Sequence, residues 1–146
     1  MTAKLQEMVL QHVDPSKLLM ERRIPDGKGE IQNPAWYHES TDGGVALQGW
    51  YGGTVMVTME TRVSRQVMVA AVAVSGMYAT DEQMSAQNMD KDSSTLEQAT
   101  EEDLKQFSRR AVNDLYPFLR AELHALTSRL GGVAGVMAAT APDLDD

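Results

Sequence analysis

The sequence predicts an α+β domain in which helices cover one face of an antiparallel sheet. Residues 55–63 alternate between apolar and more polar side chains, which is the two-residue period of a half-buried strand. Residues 67–78 follow a short turn and are apolar on both faces. From Glu101 onward, apolar residues recur at helical spacing, and the pattern is interrupted once, by Pro117.

The length, charge and cysteine content of the chain limit the classes of function that it can have. The chain has 146 residues, enough for a single domain with its own core, and a formal net charge of −8. Nucleic acids and anionic membranes attract clustered lysine and arginine, so we do not expect this acidic chain to bind them. The absence of cysteine excludes disulfides, thiolate zinc sites and cysteine nucleophiles. With no apolar leader at the N-terminus and no run long enough to span a bilayer, we expect a cytoplasmic protein without membrane insertion.

The first half of the chain is predicted to form strands joined by one long loop. Residues 5–22 lean apolar but contain Pro15, which predicts two extended pieces joined at a bend, or an edge strand. A polar loop is predicted over 25–44, followed by strand over 45–63 with a bulge or turn at Gly52-Gly53. The strand over 67–78 is apolar on both faces. We therefore expect a helix of the same chain on one side of it and a partner subunit or a ligand on the other.

The second half is predicted to be an acidic loop followed by two helices. Residues 81–95 are polar and acidic, which predicts a mobile loop. Thr100 can cap a helix whose first turn is acidic, where negative charge suits the helix dipole. Pro117 is expected to end this helix near Asp114 and to begin a second one that runs to Leu130. Gly131-Gly132 can then supply a left-handed cap, and residues 133–146 are expected to be a flexible tail.

No motif in the sequence predicts catalysis or metal binding. The three histidines, His12, His38 and His124, lie on separate elements without metal-ligand spacing. The acidic residues at 101–103 are explained by their place at a helix start. There is no glycine-rich phosphate loop and no nucleophile motif. We therefore expect a binding protein without cofactor or metal. Its ten methionines can be core filler or part of a surface that accepts many ligands, and the count alone leaves both open.

Three segments together resemble the SecB export-chaperone family. The segment 113–120, Asn-Asp-Leu-Tyr-Pro-Phe-Leu-Arg, is similar to the Asn-x-Leu-Phe-Pro-Tyr-x-Arg segment of that family, and SecB-like chaperones attached to toxin–antitoxin systems carry a close variant. Residues 74–78 resemble the end of the family's last strand, and residues 10–21 are similar in rhythm to its first strand. The likeness covers about two thirds of the chain and suggests a single SecB-like domain over 1–146.

The resemblance implies a fold, an assembly and an activity. The family has a four-stranded antiparallel sheet with helices packed on one face, and a three-stranded version would also suit this chain. Family members assemble as homotetramers, dimers of dimers, and hold unfolded polypeptide in apolar grooves between sheet and helix, without nucleotide or metal. Each residue expected to line such a groove could equally be ordinary core. These residues are Met68, Val72, Val74, Met77, Tyr78, Tyr116 and Phe118.

The resemblance leaves the partner open. The export family docks on the SecA motor through acidic residues on the outer face of the sheet, and Glu21 matches one of those positions. Two other acidic positions fall on Lys17 and near Ala71, which are not acidic. One expectation is therefore a SecB-like holdase for export or for a dedicated client such as an antitoxin. The alternative is a SecB-like fold reused as a structural or inhibitory interaction module.

Overall fold

The computed structural model describes residues 4–22, 40–65, 68–86 and 89–130. They form an α+β fold in which a five-stranded antiparallel sheet carries one long helix. A short 3-10 helix, Leu5–Glu7, opens the chain. The strands are β1 Val9–Arg22, β2 Ser40–Tyr51, β3 Val55–Arg65, β4 Met68–Ala79 and β5 Lys91–Asp92. The helices are α1 Asp81–Ser85, α2 Ser94–Glu97 and α3 Glu101–Leu130.

The strand order is β1-β4-β3-β2-β5, so the first strand lies beside the last long one. β2, β3 and β4 are consecutive neighbours, whereas β1 reaches its place through the connection over 23–39, which lies outside the described residues. Four long strands and one two-residue strand thus confirm the predicted antiparallel α+β architecture.

A tight turn at Gly52-Gly53 divides the predicted stretch 45–63 into two strands. Both glycines have positive φ, 68° and 80°, which is the backbone that a two-residue hairpin turn requires. The Thr54 amide donates to the Tyr51 carbonyl across the turn, at 3.3 Å. The strand before the turn already begins at Ser40, so Gly43 and Gly44 lie in β2 and not in the predicted loop.

The alternation over 55–63 gives β3 one buried face and one more exposed face, as predicted. Within residues 55–63, the odd-numbered side chains are buried, while the even-numbered ones are half-buried or exposed. Sheet pairing therefore fixes which face of each strand meets the helix, because directly opposed residues of antiparallel strands share a face.

β4 is buried on both faces, but a partner is not required to explain it. Val72 and Val74 face the helix, whereas Ala71 and Ala73 lie on the outer face and are also buried. Ala73 pairs with Lys17 on one side and Glu60 on the other, and those two long side chains form an ion pair at 3.1 Å. The burial of this side in the single chain is explained by flanking side chains that cover the small alanines, and a second subunit or a ligand on this side stays a prediction.

Pro15 lies on an edge strand. This was one of the two alternatives predicted from the sequence. β1 borders the sheet, and its pairing with β4 shifts register between Leu10 and His12 and again between Pro15 and Lys17. Proline has no amide to donate to a ladder, so it is tolerated at an edge or beside a bulge.

Pro117 does not divide the helix, and this prediction was wrong. α3 continues for 30 residues with Pro117 inside it. Both Pro117 and Asn113, whose carbonyl loses its usual donor, are exposed on the side away from the sheet. Leu115 and Leu119 are buried on either side of the proline, and their packing holds both halves in one helix.

The acidic segment 81–95 contains regular structure where a loop was predicted. α1 has a capping box in which the Thr80 hydroxyl accepts from the Gln83 amide and the Gln83 side chain accepts from the Thr80 amide. The Gln83 and Thr95 side chains both donate to the Gly53 carbonyl, at 3.0 and 3.1 Å, which ties the segment to the β2–β3 turn. Its mobility stays a prediction, and the tail 133–146 lies outside the described residues.

Candidate polypeptide-binding surface

The helix α3 lies along β4 and runs in the opposite direction. At one end, the Tyr78 ring packs edge-on against Phe107 with centroids 4.9 Å apart. A Cβ added to Gly76 would lie 2.7 Å from Leu115, so helix and strand are in close contact there. Leu119 and Leu123 then share the core with Val74 and Val72. Residues later in α3 therefore pack against residues earlier in β4.

One flank of α3 faces the side of β1. Arg110, Asp114 and Phe118 are four residues apart and lie in one row on the helix surface. Arg110 donates to the carbonyl of Leu5, in the 3-10 helix that precedes β1, at 2.9 Å, and Asp114 accepts from the Tyr78 hydroxyl at 2.8 Å. Phe118 continues this row toward the C-terminus of the helix, where its side chain is 47% exposed.

The far half of β1 presents apolar side chains toward the same flank. Leu18 pairs with Val72 and Met20 pairs with Ala70, so both face the helix side of the sheet. Leu18 is nevertheless 51% exposed and Met20 half-buried. We call the exposed and half-buried residues of this region the β1–α3 surface. They are Pro15, Leu18, Met20, Phe118, Glu122 and Ala125.

The other end of the same flank is closed by the chain's N-terminal segment, residues 4–8. Leu5 and Met8 are 3% and 0% exposed and belong to the main core. The Gln6 side chain donates to Asp103 of α3 at 2.9 Å. On β1, the half-buried Leu10 and Val13 lie between this segment and the β1–α3 surface.

The structure separates the seven residues that the sequence suggested for a client groove. Four of them, Val72, Val74, Tyr78 and Tyr116, are at most 5% exposed and are packed in the core of the single chain. Met77 pairs with Met56 and is half-buried on the outer face. Met68 lies at the start of β4, and its side chain is outside what the structure describes. Among the six whose side chains the structure describes, only Phe118 is exposed, and client binding by any of the seven stays a prediction.

Tyr78 carries a polar contact at the centre of this core. Burial raises the pKa of its phenol well above the ordinary value, and the hydrogen bond to Asp114 adds to the shift. The Arg110 guanidinium lies 5.9 Å from the Tyr78 ring centre, and its positive charge partly offsets this rise in the pKa. The phenol stays protonated and joins sheet to helix, which is a structural arrangement.

Glu21 lies on the outer face, opposite to the helix. It pairs with Val69 and is exposed, so it is accessible to a partner. The outer face also carries a His12–Asp14 contact and the Lys17–Glu60 pair, which makes its charge mixed. Partner docking through Glu21 stays a prediction.

Sequence reasoning missed Leu18 and Met20 as candidate surface residues. The available signal was the run Leu18-Leu19-Met20, which breaks the alternation expected of a strand with one wet face. Leu19 faces the outer side and is 37% exposed, so the run places apolar groups on both faces of an edge strand.

Metal binding and membrane crossing have no candidate among the described residues. These residues contain no group of three or more His, Asp or Glu side chains arranged to hold a metal ion. None of the described helices combines the length and apolar character needed to cross a membrane. His124 is exposed on α3, and His38 lies outside the described residues.

Comparison with solved structures identifies the fold. A SecB-like chaperone of Mycobacterium tuberculosis, solved with a ChAD peptide from the HigA1 antitoxin, aligns with a TM-score of 0.62 over 91% of this chain and 87% of that one, at 14% identity. The fold is SecB-like. A Streptococcus agalactiae protein of unknown function aligns at a TM-score of 0.48 with 12% identity, covering 90% of this chain and 96% of that one. No protein-family model and no curated protein sequence matches the chain significantly.

Proposed function

We propose that this chain is an ATP-independent, SecB-like chaperone that binds unfolded or partly folded polypeptide on the β1–α3 surface. The observation that carries the proposal is the exposure of large apolar side chains on both elements that border this surface, Leu18 on β1 and Phe118 on α3. The similar fold of a chaperone solved with a peptide supports a polypeptide ligand.

The chemistry of the surface suits a ligand without fixed sequence. Apolar burial is non-directional, so Leu18, Met20 and Phe118 can accept different apolar side chains. Met20 adds an unbranched, polarisable group that adapts to its neighbours. Fully burying one large apolar side chain is worth about 1.5–3 kcal/mol, so two or three such contacts give useful but reversible affinity.

Removal of the exposed apolar groups tests the proposal. We expect Leu18→Ser and Phe118→Ser each to weaken binding of a reduced, carboxymethylated and permanently unfolded protein by about tenfold, which corresponds to about 1.4 kcal/mol. Fluorescence titration gives the dissociation constant, and light scattering of an aggregating client gives holdase activity without ATP.

Leu19→Ser is the matched control, because Leu19 is the next residue along the same strand and faces the opposite side. It should bind the client like the wild type. Equal loss in Leu18→Ser and Leu19→Ser, or wild-type protein that binds no unfolded client, would overturn the proposal.

A dedicated partner is the second candidate. The Mycobacterium tuberculosis chaperone was solved with a peptide from one antitoxin, which favours a specific polypeptide such as an antitoxin as the ligand here. This candidate predicts a complex of fixed stoichiometry with one partner and no effect on generic unfolded proteins. Native mass spectrometry separates the two and also tests the proposed homotetramer, a dimer of dimers, against a protomer mass of 16.0 kDa.

Service to the export motor SecA is a narrower proposal within the same function. Glu21 is accessible for such docking, whereas Lys17 and Ala71 lack the acidic groups of the export family. Titration with SecA in the cytoplasmic setting that we propose should show binding that Glu21→Gln weakens. Unchanged binding in that variant removes Glu21 from the docking site.

A further inference from the structure

We propose that the N-terminal segment, residues 4–8, occupies one half of a longer polypeptide-binding surface and competes with the client for it. This inference rests on the proposed function. The segment lies on the same flank of α3 that continues as the β1–α3 surface, with Leu5 and Met8 buried against it. The flank of α3 from Phe107 to Ala125 is about 27 Å long, with the segment at one end, the β1–α3 surface at the other, and the charged Arg110 and Asp114 between them.

The segment is bound in the way that a peptide would be. Arg110 donates through Nη2 to the Leu5 carbonyl at 2.9 Å and through Nη1 to the Gln6 carbonyl at 3.5 Å. Backbone carbonyls occur in every peptide, so this contact does not depend on ligand sequence. The guanidinium is held 5.3 Å from the Phe107 ring centre, which fixes its orientation.

The side chains of the segment define the kind of ligand that fits. Leu5 and Met8 are three residues apart and both enter the core, while Gln6 and Glu7 between them are exposed. The site therefore suits a short segment with two large apolar side chains at this spacing. Clients with that pattern would displace the chain's own copy.

The attachment of the segment is incomplete, which suits an exchangeable occupant. The Nε of Arg110 is buried and has no hydrogen-bond partner among the described residues. The Gln6–Asp103 contact is exposed, so water competes for it. Because only molecules in which the segment is released can bind the client at this end, the apparent dissociation constant there is the intrinsic one divided by the open fraction.

Loosening the segment in the full chain tests the inference. Arg110→Gln removes the charge-assisted contacts to both carbonyls, and we expect it to tighten binding of the reduced, carboxymethylated client by about tenfold through a larger open fraction. Arg120→Gln is the control, because it removes the same charge from an exposed position on the same helix. Equal or weaker binding by a folded Arg110→Gln protein would overturn the inference.

Locking the segment gives the opposite test and does not depend on the stability of the Arg110 variant. The chain has no cysteine, so Gln6→Cys with Asp103→Cys provides a unique pair for a short bis-maleimide cross-link. The dissociation constant of the linked protein for the client should be at least about threefold higher than that of the unlinked protein. Equal affinity of the linked and unlinked proteins would overturn the proposed competition. The proposed function would still stand in that case if Phe118→Ser weakens client binding by the otherwise unchanged protein.

Discussion

At the level of single residues, Tyr78 joins the sheet to α3 through the hydrogen bond from its buried hydroxyl to Asp114. Because burial raises the pKa of Tyr78, the folded chain keeps this proton above pH 10, where the unfolded chain releases it. The stabilisation that comes from the raised pKa of Tyr78 is fully present below about pH 10. Above that pH the free energy of unfolding falls as pH rises, by at most about 1.4 kcal/mol per pH unit.

Tyr78→Phe should remove this alkaline dependence while it leaves the fold intact. Urea unfolding between pH 9 and 11 should give a flatter stability curve for the variant than for the wild type. The other three tyrosines are present in both proteins and serve as the internal control. Parallel curves for the two proteins would show that Tyr78 is not the titrating group.

Gly76 permits the close approach of α3 to the sheet. A Cβ at this position would lie 2.7 Å from Leu115 Cδ2 and 2.9 Å from Leu10 Cδ1, so Gly76→Ala should cost about 1–2 kcal/mol of unfolding free energy as both leucines shift. Gly44→Ala is the control, since nothing lies within 4 Å of its added Cβ. Chemical denaturation should show loss in the first variant only, and equal effects would contradict this packing.

At the level of elements, the predictions succeeded where the signal was local. The alternation over 55–63 depends on the pleat of one strand, and the edge position of Pro15 follows from its missing amide. The continuous helix through Pro117 depends on tertiary packing. A proline inside a helix costs about 3 kcal/mol, while burial of Leu115 and Leu119 contributes about 1.5–3 kcal/mol each. Local sequence shows the cost, and only the fold shows the compensation.

Pro117→Ala should therefore stabilise the protein. The substitution restores an amide that can donate to the Asn113 carbonyl and removes a ring that clashes with it, so we expect a gain of about 1–3 kcal/mol by denaturant unfolding. Ala121→Gly, one turn further along the exposed side, should cost about 1 kcal/mol and calibrates the sensitivity of the helix. A loss of stability in Pro117→Ala would favour two separate helices.

The candidate site was less predictable than the fold, for a reason that Leu18 and Val72 illustrate. Both are apolar residues in strands, and they pair directly, yet one is half exposed and the other fully buried. The difference arises because β4 lies beneath α3 and β1 lies at the sheet edge. Strand order therefore decides which apolar residues are accessible, and strand order is not a property of any short segment.

At the level of the whole molecule, large apolar side chains lie in a core, on one open flank, and at separate exposed positions such as Val9, Met84 and Met89. The N-terminal segment, β4 and the inner face of α3 form the core, and the far half of β1 with Phe118 remains open to solvent. Exposed apolar groups on two adjacent elements are typical of surfaces that bind other chains. The central claim is that unfolded polypeptide binds at this flank and not at the outer face of the sheet.

Methionine methyl NMR during titration with the reduced, carboxymethylated client tests this claim most directly. Met20 lies on the β1–α3 surface, Met77 lies on the outer face, and Met89 is 77% exposed in the connection before β5. We predict that the Met20 resonance shifts in proportion to bound client while those of Met77 and Met89 stay in place. Shifts at Met77 or Met89 with an unchanged Met20 resonance would contradict the account.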